Sequence, residues 1–337
     1  MLPERGELGS LLEVVGAEVV VHPLAVLRRG LLTPVGLLDL RRRLRRDREE
    51  LGRLARERGA ALVHSNTSVV LAGGSLGPPH LQHVREIYAG AGLAPLWPLW
   101  RRRLLRADAL ACVSAAVAAQ FGKSPKAFVL HDGLPRTPSP VPRDAARQAL
   151  GLPPDRFVVA LLGRISEWKG QDVLAEALLQ LDGIGAIGLI AGDAWPGQEP
   201  LERELEARAG RSGGRLRLLG FRDDVDTVLG AADAVAVPSK RPDPLPNSAI
   251  EAAAAGLPVV AAAHGGLREI VRDEETGLLV RPGDPAELAA ALRRLAGDPG
   301  LRARLGEAAA RDARERFGRE RMLAELEEVY ARLASQP

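Results

Sequence analysis

The amino-acid sequence predicts an α/β protein of two domains with buried parallel sheets, and three observations carry that expectation. The chain has 337 residues, more than the ~250–300 at which a single hydrophobic core stops growing. Short runs rich in Val, Ile and Leu alternate with longer amphipathic stretches, the pattern of parallel strands joined by crossover helices. A proline-rich segment from Pro135 to Pro154 breaks that alternation near mid-chain before it restarts at Phe157.

In chain order, the expected strands of the first half are "AEVVVHPL", "GAALVHS", "HLQHVREI", "DALACVS" and "AFVLHDG". Those of the second half are "RFVVALLG", "IGAIGLIAGD", "RLRLLGF", "DAVAVPS", "PVVAAA" and "TGLLV". The proline-rich linker divides the chain into residues 1–153 and 154–315, with 316–337 a terminal helix packing back toward the first domain. Two such halves would turn the carboxyl ends of both sheets toward one cleft, where open α/β sheets bind ligands. Between the strands, "RRRLRRDREELGRLARERG" places Leu44, Leu51 and Leu54 near helical spacing, which reads as a helix with a solvated charged face. Peripheral membrane contact is the lesser reading of this helix. Trp97 and Trp100 beside Arg101 to Arg103 in "LAPLWPLWRRRLLR" add some weight to it.

Composition narrows the function classes. The chain carries 46 basic and 43 acidic residues for a net charge of +3, and lysine occurs only at Lys123, Lys126, Lys169 and Lys240. A near-balanced, arginine-rich surface gives no reason to expect a nucleic-acid partner. Cys112 is the single cysteine, so neither a disulfide nor a cysteine-based metal cluster can form, and it reads as a small buried hydrophobe. No run approaches ~18 uninterrupted apolar residues, and the N-terminus lacks a basic segment followed by an apolar one. The expectation is a soluble, cytoplasmic protein, with the inner membrane surface as the other location.

Two stretches could carry chemistry. In "GRISEWKGQDVL", Gly163 to Leu174, the loop between a strand and a helix holds Arg164 and Lys169. Amide N–H groups at the helix N-terminus and two cations there would favour an anion; a solvated turn is the alternative. In "PSKRPDPLPNSAIEAAAAGLPVVAAAHGG", Asp243 lies in a loop and Glu251 one turn into the following helix. Two such carboxylates suit the hydroxyls of a ribose or sugar, or Glu251 merely complements the helix dipole.

These motifs, with "IAGDAWPGQ", "LGFRDDVDTVLGAADAVAVPS" and "TGLLVRPGDPAELAAAL" in that order, resemble the retaining glycosyltransferases of family four, the glycosyl transferases group 1 set. The resemblance implies the GT-B fold, two Rossmann-like domains with parallel sheets facing across a cleft. It also implies that Arg164 and Lys169 bind the donor diphosphate, that Glu251 takes the ribose hydroxyls and that Asp243 contacts the transferred sugar. Phe221, Arg222 and Val225 fall in the turn that packs on the base, and Gly192, Asn247 and Ser248 complete the donor-binding set. Where members usually have Glu-Pro-Phe-Gly, this chain has Asp243, Pro244, Leu245 and Pro246, and a proline at 246 removes a backbone N–H.

"LVHSNTSVVLAGG" and "HLQHVREIYAG" resemble strand ends of the family's first domain. His83 matches a histidine over the sugar, and His64, Arg85 and Glu86 are expected on the acceptor side. Ser114 and Asp132 match landmarks without chemistry. Members normally open with a strand and a Gly-rich loop; this chain opens at the next strand, so that loop is expected to be missing through a late start codon or truncation.

The implied activity is metal-independent transfer of a hexosyl unit, with retention, from a nucleotide-diphosphate sugar to a glycan, lipid-linked glycan or small-molecule hydroxyl. No cofactor is expected beyond the donor substrate. A nucleotide-sugar epimerase, a sugar-phosphate synthase and a nucleotide-sugar-binding protein of impaired turnover are the alternatives.

Overall fold

A computed structural model describes residues 1–26, 34–70, 77–88, 97–181 and 183–335, apart from the side chains of 34, 35 and 37. It separates into two compact units. The first comprises Met1–Val113, Val117–Val129 and Leu326–Pro337; the second comprises Ser114–Ala116 and Leu130–Glu325.

The first unit begins with α1 (Glu7–Val14) and α2 (Pro34–Glu57), followed by β1 (Val63–Ser65), β2 (His80–Val84), α3 (Trp97–Leu104), β3 (Ala109–Cys112) and β4 (Ala127–Val129); α4 (Ala115–Ala118), between β3 and β4, has its first two residues in the second unit. The strands form one parallel sheet in the order β1-β2-β3-β4. β2 and β3 are buried along their whole length; β3 reads as an apolar run, whereas β2 carries His80, Gln82 and His83 as buried polar residues. Cys112 is fully buried, as its apolar setting implied.

The expected strand in "AEVVVHPL" does not form. Val21 makes an isolated bridge with Leu2, through Leu2 N–H to Val20 O and His22 N–H to Leu2 O, and one residue of partner backbone cannot extend a ladder. The segment is held instead by α2: buried Asp47 accepts the Ala25 N–H at 2.5 Å and bonds His22 Nε2 at 2.9 Å. On α3, Trp97 stacks on Tyr88 with ring centroids 5.2 Å apart, and Trp100 packs with Leu44 around Ala25 and Leu40. Both rings therefore serve packing and do not stand out as interfacial anchors. Among the described residues, no helix is long and apolar enough to cross a membrane.

The second unit contains α5 (Arg143–Ala149), β5 (Val158–Leu162), α6 (Gln171–Leu179), β6 (Ile187–Ala191), α7 (Glu199–Arg211), β7 (Leu216–Gly220), α8 (Val225–Ala231) and β8 (Ala234–Val237). It continues through α9 (Asn247–Ala254), β9 (Val259–Ala262), α10 (Leu267–Ile270), β10 (Gly277–Val280), α11 (Pro285–Gly297) and α12 (Pro299–Phe317). The last helix, α13 (Arg319–Ala334), starts in the second unit and ends among the residues of the first. All six strands are parallel, in the order β10-β9-β8-β5-β6-β7. Chain direction across the sheet reverses between β5 and β8, which pair through Val159 with Ala234 and Ala160 with Val235. Ligands of doubly wound sheets lie at the carboxyl ends of such a strand pair.

The unit boundary is at Leu130, not in the proline-rich segment. The reason is a set of long-range polar ties. Asp226 takes Arg136 and the Ser139 N–H, while its carbonyl takes the Val141 N–H. Arg147, 1% exposed, donates to Asp233 and to the carbonyls of Ala231, Pro153, Pro154 and Arg156. Residues 130–153 are thereby built into the second unit instead of linking two.

Candidate functional site

In the second unit the site begins at the tip of β5. Gly163 (φ 138°) donates its N–H to Ala191 O, and Gly192 (φ 145°) donates to Gly220 O, so the ends of β5, β6 and β7 are pinned together. A Cβ on Gly192 would lie 2.3 Å from the Gly163 carbonyl oxygen, so only glycine lets the two backbones meet there. The loop then places two cations. The Arg164 guanidinium sits 4.4 Å from the centroid of the Trp195 ring, and Lys169 Nζ is 4.4 Å from that of Trp168. Ring faces attract cations and limit where these flexible side chains can point. Gln171 closes the loop by donating to Arg164 O at 3.0 Å.

Gly170 (φ 81°) caps α6, with no side chain over the helix end. A Cβ there would lie 2.2 Å from Pro238 O, so this loop is seated against the carboxyl end of β8. That contact explains why Lys169 Nζ reaches Asp243 Oδ2 at 2.8 Å across 74 residues of sequence. Asp243 is 5% exposed. Its carbonyl accepts the Gly266 N–H at 2.8 Å, and side chains at Gly265 or Gly266 would collide with the backbone of Asp243 and Pro244.

Pro246 occupies the N-cap of α9, where its carbonyl accepts Ala249 N–H and its missing N–H costs the helix nothing. The first-turn amides of Asn247 and Ser248 carry no side-chain cap. Glu251 follows one turn later, half-buried. Burial pushes its carboxyl above the usual range, with repulsion from Asp226 adding to this and Arg136 opposing it. A carboxylate desolvated in this way gains from hydroxyl donors.

At the β7–α8 turn, Phe221 is 72% exposed and Arg222 holds Asp224 through two bonds of 2.7 and 2.5 Å ahead of Val225. Arg164, Lys169, Gly192 and Asp243 thus gather at the strand reversal, while Asn247, Ser248 and Glu251 lie along α9. Sequence reasoning missed the ring partners Trp168 and Trp195. It also missed Ser239 after β8 and His264 after β9, whose Oγ and ring nitrogens are buried without hydrogen-bond partners among the described residues. A polar residue ending an apolar strand run was the available signal.

In the first unit His64 lies in β1 and His83 in β2, and Arg85 and Glu86 directly follow β2. His64 Nδ1 is 2.7 Å from Tyr330 OH, and its ring stacks on that of His83 at 5.6 Å. Burial, then the charge of Arg85, lowers His64 to about 4 and His83 to about 3, so both rings are neutral near pH 7. Arg85 donates to the carbonyl and side chain of Asn66 at 3.0 and 3.2 Å. Glu86 gathers the loop after β1, accepting from Thr67 Oγ1 at 2.5 Å, from the N–H groups of Ser68 and Arg85, and from Ser68 Oγ. Among the described residues, no group of three or more His, Cys, Asp and Glu side chains is arranged to hold a metal ion.

The family model for glycosyl transferases group 1 matches residues 142–312. The chain belongs to this family. The match spans the β5 loop, the Asp243 loop and α9. Among curated relatives, a D-inositol 3-phosphate glycosyltransferase of Xylanimonas cellulosilytica is 42% identical over 201 residues, covering 57% of this chain and 47% of that protein. One of Streptomyces bingchenggensis is 39% identical over 200 residues, covering 56% and 43%. The chain spans about half the length of the curated relatives it matches.

Among solved structures, Anabaena HepE in complex with UDP and glucose is similar over 97% of this chain and 90% of that one, with 26% identity and a TM-score of 0.82. Sucrose-phosphate synthase of Thermosynechococcus elongatus shares the fold over 97% and 92%, at 24% identity and a TM-score of 0.77. The fold is of the GT-B class, with two parallel-sheet α/β units.

Proposed function

We propose that the chain moves a hexosyl unit from a nucleotide-diphosphate sugar to an acceptor hydroxyl with retention at the anomeric carbon. The observation that carries this reading is the Lys169–Asp243 pair, 2.8 Å apart at the strand reversal, with Arg164 on the same loop. That HepE was solved with UDP, with UDP and glucose, and with UDP-glucose supports a nucleotide sugar as donor. On this reading the diphosphate takes over Lys169, and Arg164 turns its planar fork to the second phosphate. Asp243, released from Lys169, accepts from sugar hydroxyls. Glu251 accepts from the ribose, and the uncapped α9 amides face negative charge.

The reaction breaks the bond between the anomeric carbon and the diphosphate oxygen and forms one to the acceptor oxygen on the same face. The acceptor proton passes to the departing diphosphate. Fixed cations and amide dipoles stabilise the charge that develops there, and no metal or protein nucleophile enters the scheme. His83, neutral at working pH, acts on this reading as a hydrogen-bonding ring toward the sugar. His64, Arg85 and Glu86 order the acceptor side. The acceptor class is a glycan, lipid-linked glycan or small-molecule hydroxyl, used in the cytoplasm.

The test begins with a thermal-shift panel of nucleotides and nucleotide sugars, since a ligand of the native state raises its apparent stability. The best donor is then assayed for nucleotide release with and without candidate acceptors. Acceptor-dependent release that falls by about 10²–10³-fold in Lys169→Ala is expected. Wild-type turnover in that variant would remove the assignment; binding without release would leave a nucleotide-sugar-binding protein.

A further inference from the structure

A strongly charged cavity in the first unit has no part in the function proposed above. It measures about 740 Å³ and is lined by Arg41, Arg45, Arg48 and Arg56 of α2, by Arg103 at the end of α3, and by one acid, Glu49. The α2 arginines stand at i, i+4, i+7 and i+15, which places them on one face of the helix. Gly52 at i+11 is on that face too, and its missing side chain keeps the middle of the groove open. The other ion pairs within α2, Arg43 with Asp39, Arg46 with Asp47, and Arg53 with Glu50 and Glu57, do not line the cavity.

Within the cavity, Glu49 is taken by Arg45 at 2.9 Å. Arg41, Arg48 and Arg56 have no carboxylate partner among the described residues. Arg103 is lowered to about 10, first by burial and then by repulsion from Arg48 and Arg106. Five arginines against one acid, itself paired with Arg45, concentrate positive charge along the groove.

Position separates this groove from a substrate cleft. Arg56, Gly77 and Arg103 shortly precede β1, β2 and β3 in the chain, so they lie toward the amino-terminal edge of the sheet. Ligands of open parallel sheets gather at the opposite edge, where His83 lies at the end of β2 before Val84 and Arg85 follows that strand. We propose that this groove is a second binding site, for an anion bearing several phosphates. Arginine forks match phosphate oxygens in bidentate fashion. From Arg41 to Arg56 the helix runs about 22 Å, too far for one phosphate to bridge. Leu38 and Leu99, 61% and 71% exposed, precede Arg41 and Arg103 by three and four residues on the same helix faces. A soluble polyphosphate and the phosphates of lipid headgroups share the required chemistry.

The experiment uses the full chain carrying Lys169→Ala, so that the donor loop does not contribute, with and without Arg41→Gln, Arg48→Gln and Arg56→Gln together. Sodium tripolyphosphate is titrated calorimetrically at low and raised salt. Vesicles of phosphatidylcholine, with and without phosphatidylglycerol, are co-sedimented with the protein. Salt-sensitive binding of tripolyphosphate, weakened at least tenfold by the triple change, assigns a soluble polyphosphate. Co-sedimentation with phosphatidylglycerol vesicles alone, lost in the triple variant, assigns headgroups. Should the triple variant lose its circular dichroism, Arg41→Gln, on an exposed side chain, replaces it and should weaken whichever interaction is seen. Binding of neither probe, or binding unchanged by the substitutions, overturns the proposal. Because Lys169 is already removed, that failure leaves the donor-site reading intact.

Discussion

The three histidines of β1 and β2 show how burial sets a residue's chemistry. His64 and His80 are lowered to about 4 and His83 to about 3, in each case chiefly by burial, against an ordinary value near 6.5. Unfolding returns all three to water, so between about pH 6.5 and pH 3 the unfolded chain binds more protons than the native one. Stability contributed by the neutral rings is therefore complete above about pH 6.5 and is lost as pH falls through that window. The melting temperature of the first unit should drop steeply from pH 7 to pH 4, and His80→Gln should show a shallower drop; parallel curves would contradict this. Arg164, Lys169 and Asp243 were legible in the sequence because their loops follow strands and keep a recognisable order. The Trp195 ring under Arg164 was not, since a cation–ring contact across 31 residues leaves no spacing pattern.

At the scale of elements, ten of the eleven expected strands formed; where both faces are buried, as in β3, β5, β6, β8 and β9, the sequence is a near-continuous apolar run. The run "AEVVV" is similarly apolar, yet among the described residues it finds only Leu2 as a sheet partner. Pairing is a property of two segments and cannot be read from one. The unit boundary was misplaced for a similar reason. Prolines mark irregular backbone, but what anchors α5 is Arg147 on Asp233, 86 residues away, with Val158 N–H and Arg143 on the same carboxylate. Removing one partner of a buried pair strands the other, at a cost of about 3–5 kcal/mol. Arg147→Met should thus lower the urea midpoint of the second unit with its m-value unchanged. A midpoint equal to that of the wild type would show that α5 is held by apolar packing instead.

Across the whole molecule, the GT-B fold and the group 1 family were readable because ordered motifs fill the second unit. The first unit offered fewer signals, and its arginine groove emerges only when α2, α3 and the residues before β2 come together. One further property spans both units. Lysine stands at four positions, and three of them are engaged: Lys169 with Asp243, Lys240 with Asp172, and Lys126 on the carbonyls of Leu105 and Ala107. Lys123 is exposed and makes no such contact among the described residues. An amine-acylating reagent read out by mass spectrometry should therefore label Lys123 fastest among the lysines and give a separate signal for the amine facing Asp243. Adding the nucleotide with the largest thermal shift should slow acylation at Lys169 and leave Lys123 unchanged; equal rates at Lys169 with and without it would place that nucleotide elsewhere. With so few primary amines, the chain carries its own covalent record of occupancy, residue by residue, without any introduced label.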